Sequence, residues 1–82
     1  MKVKLNRVRK IPIKGEYIKL DGLLKYSSVA STGGEAKFLI QSGDVYIGGI
    51  PCTERGRKVK PGDIVRCGGY VLIVEQADSV GL

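Results

Sequence analysis

Eighty-two residues leave room for one domain and one small core, not two. At 43% hydrophobic content the chain can fold, yet it has no run of 18 or more apolar residues that could span a membrane. Fourteen Lys and Arg against eight Asp and Glu give a net charge of +6, which suits a polyanionic partner, nucleic acid first and an anionic membrane surface second.

Residues 2–14 carry six positive charges (Lys2, Lys4, Arg7, Arg9, Lys10, Lys14) and no acid. Val3 and Leu5 alternate with lysines, and Ile11 and Ile13 flank Pro12, so short extended segments are expected, with Pro12 at an edge or irregular position. This segment reads equally as a basic arm for a ligand and as an edge strand kept soluble by its lysines. It lacks the apolar stretch of a signal peptide, and a cytoplasmic location is expected.

From Ile18 to Val29, Leu20, Leu23, Leu24 and Ser27 recur at helical spacing and predict a short amphipathic helix. Asp21 and Lys25, four apart, can pair on its flank, while Gly22 weakens it. Ser27, Ser28 and Ser31 mark its end.

The following "STGGEAKFLIQSG" has the paired glycines and lysine of a phosphate-binding loop, but not its spacing. It reads instead as a capped helix over residues 33–42. Thr32 should accept from the Glu35 amide while Glu35 returns to the Thr32 amide. Ala36, Leu39 and Ile40 form the buried stripe, and Gly43 is the left-handed stop. Gly33 and Gly34 either open the helix start to a phosphate or let it pack closely on the first helix. Phe38 lies off the stripe; cover by the N-terminal segment is the favoured reading, base stacking the other.

From Asp44 the period becomes two. Val45 and Ile47 lead to a Gly48-Gly49 hairpin turn, and the chain returns through residues 50–52. Lys60-Pro61-Gly62-Asp63 predicts a type II turn, Ile64-Val65 a strand, Gly68-Gly69 a turn and residues 70–74 a buried strand. One domain over residues 1–82 is expected: a basic segment at 1–10, a core at 11–75 and a frayed tail at 76–82.

Cys52 and Cys67, with no histidine in the chain, are too few for a structural zinc site and read as small strand residues. The acids are scattered, and no serine or cysteine stands beside a base. No enzyme activity, metal or cofactor is therefore expected.

The order of helix, capped helix, hairpin, basic loop and "KPGD" strand resembles the RNA-binding domain named after ribosomal small-subunit protein four, the alpha-L motif. The likeness is carried by "IKLDGLLKYSSVASTGGEAKFLIQSGDVYIGG" and "ERGRKVKPGDIV", about residues 17–65, and is nearest to small stand-alone bacterial members. It implies an α+β fold in which two short helices pack on a small, mostly antiparallel sheet. It also implies structured RNA, ribosomal or transfer RNA, as partner. Lys19, Lys25, Thr32, Lys37, Arg55, Arg57 and Lys58 fall on the family's RNA-contacting positions. One departure is Gly48, where the family's V-x-V-N-G hairpin has asparagine; the turn should survive this. The competing reading is a protein-interaction or ubiquitin-like carrier module using the basic face for an acidic partner. Such carriers need a terminal Gly-Gly, whereas this sequence reads Ser79-Val80-Gly81-Leu82.

Overall fold

Strand residues alternate between buried and exposed, and helix residues bury one stripe, so two layers follow: helices on one face of a sheet. The computed structural model describes residues 7–77. Its elements are β1 (Arg7–Ile13), β2 (Ile18–Lys19), α1 (Leu20–Tyr26), α2 (Gly33–Gln41), β3 (Val45–Ile47), β4 (Ile50–Pro51), β5 (Lys58–Val59), β6 (Ile64–Cys67) and β7 (Tyr70–Gln76). Five strands form one sheet in the order β1-β7-β6-β3-β4, and β2 and β5 form a separate two-stranded ribbon. Every pair is antiparallel except β1 with β7. The α+β architecture implied by the resemblance is the one observed.

The core is built from Leu20, Leu23 and Leu24 of α1, Ala36 and Ile40 of α2, and the inward positions of the sheet, among them Ile11, Val45, Val65, Leu72 and Val74. Val59 joins it from β5, fully buried. Ser27 completes the α1 stripe, its hydroxyl donating to the Leu23 carbonyl at 2.8 Å, so burial leaves no polar group unpaired.

Several boundaries differ from the sequence expectation. Ile18 and Lys19 are not helical, because they pair with Val59 and Lys58 across the ribbon. Two-residue strands carry too little periodicity to be read from sequence. Gln76 and Ala77 are not frayed: β7 runs to Gln76 against Ile13, and the Ala77 amide donates to the Ile13 carbonyl at 2.7 Å. The expected tail at 78–82 lies outside the described residues, as do Val3 and Leu5.

β1 is an edge strand, where Pro12 costs no second ladder. Of the two readings of the basic segment, residues 7–13 take the edge-strand one. Arg9 is half-buried and structural: its guanidinium donates to the Ser27 carbonyl at 2.7 Å and lies 5.0 Å from the centre of the Tyr70 ring. It thus places a cation at the negative end of α1 and ties β1, α1 and β7 together.

The turns are those the glycines demand. Gly48 and Gly49 have φ of 60° and 85°, the positive pair that a two-residue I′ hairpin requires. Gly62 has φ 99°, and the Asp63 amide donates to the Lys60 carbonyl at 2.9 Å, closing the expected turn. Both helices end in Schellman motifs. After α2, the amide of Gly43 donates to Ile40 and that of Asp44 to Leu39, with Gly43 at φ 86°.

After α1 the same pattern has the amide of Ser28 donating to Lys25 and that of Val29 to Leu24, but the left-handed residue is Ser28, at φ 65°. An L side chain there costs about 1 kcal/mol that glycine avoids. Ser28→Gly should accordingly raise stability by up to about 1 kcal/mol, read as a higher midpoint in urea unfolding at unchanged slope.

Candidate nucleic-acid interface

Helix α1 is only seven residues long, and Lys19 at its N-cap makes no side-chain cap. A helix so short is marginal in isolation, and its first amides need acceptors. They find them in the basic loop. The Arg57 carbonyl accepts from the Leu20 amide at 2.9 Å, and the Arg55 carbonyl from the Asp21 amide at 3.1 Å. A turn holds the loop's own shape, the Arg57 amide donating to the Glu54 carbonyl at 3.2 Å. The loop that the sequence showed only as "TERGRK" is thereby fastened to the start of α1.

Its cations sit in a fixed relation to the helix as a result. Lys58 stands directly opposite Lys19 in the β2–β5 ribbon, both exposed. Side chains so paired are about 5 Å apart at Cβ, and like charges there repel by some tenths of a kcal/mol. The Lys58 ammonium lies 4.9 Å from the centre of the Tyr17 ring, a cation–π contact that holds it in place.

Lys25 lies one turn along α1 from Asp21 and four residues before Val29. Its ammonium reaches the start of α2, 3.9 Å from where a Cβ on Gly33 would be. Lys37 is four residues after Gly33, hence on the same face of α2, and helical side chains lean toward the N-terminus. Lys25 and Lys37 therefore converge on the first turn of α2. The seven expected site residues form two groups: Lys19, Arg55, Arg57 and Lys58 around the ribbon and loop, and Lys25, Thr32 and Lys37 around the α1–α2 junction. Helix α1, about 10 Å long, joins them. Asp21 is the acid along its length, and its Oδ1 accepts from the Gly22 amide at 2.7 Å.

Thr32 has a structural task within this arrangement. It is the N-cap of α2, and its Oγ1 accepts from the Glu35 amide at 3.1 Å. The reciprocal bond of the expected capping box is displaced by one residue: Glu35 Oε1 accepts from the Ser31 amide at 2.7 Å, not from Thr32. The glycines that follow are not demanded by packing. A Cβ at Gly33 or Gly34 would meet nothing closer than 3.9 Å, which removes the close-packing explanation.

The N-terminal segment expected to cover Phe38 lies, over residues 1–6, outside the described residues. Phe38 is 70% exposed, so no cover from the described residues lies over it. Cys52 and Cys67 are buried free thiols, and burial, reinforced by the charge of Asp44, pushes the Cys67 thiol up. Such a thiol is a small core residue, poorly nucleophilic. Tyr17 and Tyr26 went unremarked in the sequence. Their only signal was position, each next to a segment that turned out to carry the cations.

A family model described as the S4 domain matches residues 11–75. The chain is 37% identical over 60 residues to the probable ribosome maturation protein RlbA of Bacillus subtilis (strain 168). That alignment covers 73% of this chain and 84% of the relative.

The Thr32 cap can be tested apart from any ligand. Thr32→Ala should cost about 1 kcal/mol in chemical unfolding. Glu35→Ala should add a separate loss, since the Ser31 amide then lacks its acceptor.

Proposed function

The chain belongs to the S4 domain family, and from that premise we propose that it binds structured RNA through the face formed by α1, the start of α2 and the loop leading into β5. The observation that carries this reading is the fastening of the Arg55 and Arg57 carbonyls to the first amides of α1. It fixes the loop backbone that carries Arg55, Arg57 and Lys58 against the helix start beside Lys19, with Lys25 and Lys37 at the far end of α1. Cations carried on a fixed backbone suit the regular phosphates of a folded RNA, with affinity from charge and selectivity from shape. The Lys19–Lys58 juxtaposition supports the same conclusion, since a polyanion relieves repulsion that the free protein must bear.

Ribosomal RNA or its precursor is the RNA we favour, on the strength of the relative's name; transfer RNA offers similar duplex geometry. The role proposed is binding without chemistry, in the cytoplasm. No helix among the described residues is long and apolar enough to cross a membrane.

Two measurements test this. Binding to a structured RNA should weaken steeply with salt. For about five phosphate contacts on a duplex, log K against log salt should have a slope of roughly −4 to −5, and a flat line would refute the reading.

The second compares faces at equal change in charge. Lys37→Ala with Arg55→Ala removes two cations from the proposed face. Lys10→Ala with Arg66→Ala removes two exposed cations from the opposite face of the sheet, where alternation with buried Ile11 and Val65 puts them. The first pair should weaken RNA binding far more than the second, with stability changes within about 0.5 kcal/mol for both. Equal losses would mean that net charge alone does the binding. Titration with an acidic protein under the same conditions covers the competing interaction reading.

A further inference from the structure

The chain has four tyrosines and one phenylalanine, and the fold gathers two of the tyrosines into one groove. This groove, about 520 Å³, lies between β1, β2 and the end of α1 and is lined by Pro12, Ile13, Lys14, Tyr17, Ile18 and Tyr26, with Ala77 at one end. Its volume is that of a small-molecule site, and its walls are mainly apolar. Tyr17 and Tyr26 remain 40% and 59% exposed, so their rings are accessible from solvent.

Both tyrosines are held in place. The Tyr26 hydroxyl donates to the Pro12 carbonyl at 3.1 Å, and Tyr17 lies under the Lys58 ammonium. Anchored aromatic rings lose little freedom when something stacks on them. Lys14 is the charged group among the described lining residues, and Lys58 sits over Tyr17; the nearby acids, Glu16 exposed on the bend beside Tyr17 and Glu75 opposite Pro12, are not part of that lining. Aromatic walls and a cationic rim suit a flat, apolar group that carries its own negative charge.

The groove is also continuous with the basic face. Tyr17 leads directly into β2, whose Lys19 faces Lys58, and Tyr26 directly follows Lys25. An RNA lying on that face would pass the mouth of the groove. We propose that the groove receives one unpaired nucleobase of the bound RNA, stacked against Tyr17 and Tyr26, with a flanking phosphate at Lys14 or Lys58. This rests on the RNA-binding reading and extends it: the cationic face recognises a paired stem, and the groove recognises an interruption in it. Aromatic residues are few in this chain, so stacking has to come from this concentration of two rings rather than from their number.

The test uses two RNA probes at one fixed salt concentration: a stem–loop with a single bulged nucleotide, and the same stem fully paired. The bulged position carries 2-aminopurine, whose fluorescence falls when it stacks. The bulged stem should bind roughly 5- to 100-fold more tightly, the worth of one stacked base, and its fluorescence should be quenched on binding. Tyr17→Leu with Tyr26→Leu should abolish that advantage, read as the ratio between the two stems on the same variant, whereas release of Lys58 from the Tyr17 ring lowers binding of both stems alike. Tyr17→Phe with Tyr26→Phe should retain the advantage, since the rings remain. The quench in the unaltered protein does not depend on any variant folding.

Equal binding of both stems, an unquenched probe, or an advantage that survives the two leucines would overturn the proposal and leave the groove to an apolar protein segment or a second copy of the chain. Any of these results with salt-sensitive binding intact leaves the RNA-binding reading standing. Failure to bind either stem at low salt would overturn both.

Discussion

Two backbone hydrogen bonds, from the amides of Leu20 and Asp21 to the carbonyls of Arg57 and Arg55, are the constraint on which the proposed RNA-binding face depends. The helix they start is too short to hold itself and has no side-chain cap at Lys19. The loop they fasten has no periodic structure of its own. Each supplies what the other lacks: acceptors for orphan amides on one side, a rigid anchor on the other. The carbonyls perform the anchoring, so the guanidinium groups of the same two arginines stay free for a ligand. Anchoring by backbone also means that either side chain can change without releasing the loop.

Much of this architecture was legible in the sequence, and the reason differs from element to element. The stripes of α1 and α2 were readable because burying one side of a helix repeats every three to four residues, and Thr32, Gly43, Gly48 and Gly62 were readable because each performs a local backbone task. What failed was non-local. The β2–β5 ribbon joins residues about forty positions apart through two residues on each side, and nothing in "IK" or "KV" marks a strand. The same blindness assigned Ile18 and Lys19 to a helix. Glu35 showed the limit of a local rule: its bond went to the amide of Ser31, one residue before the expected Thr32. Cover of Phe38 was not legible because it is a property of neighbouring elements, not of the helix that carries the ring. For the proposed interface, the candidate cations could be named from sequence by resemblance, but their division into two groups joined by α1 could not. That division depends on where the chain's remote parts meet.

The face carries a built-in cost. Lys19 opposite Lys58 is unfavourable by some tenths of a kcal/mol, and a domain of this size has about ten times that in total reserve. The structure spreads the load. Lys58 rests on Tyr17, Lys25 reaches across to α2, and Asp21 breaks the line of positive charge. Concentrating cations beyond what solubility needs is the electrostatic counterpart of an exposed apolar patch: a surface that is better off when covered.

The parallel pairing of β1 with β7 sets the order in which the molecule can be completed. Ile13 meets Gln76 across 63 positions, and among the described residues β1 pairs with no other strand. At ordinary rates of protein synthesis that separation takes roughly 3 to 13 s to traverse. For all of that interval β1 is a strand without a ladder, and the closing bond from Arg9 to the end of α1 has no strand to brace it. Arg7, Arg9, Lys10 and Pro12 are the residues that keep a waiting strand from pairing with the wrong neighbour. The charge that looked like part of a binding surface is, along this stretch, what lets the nascent chain stay single until its partner emerges.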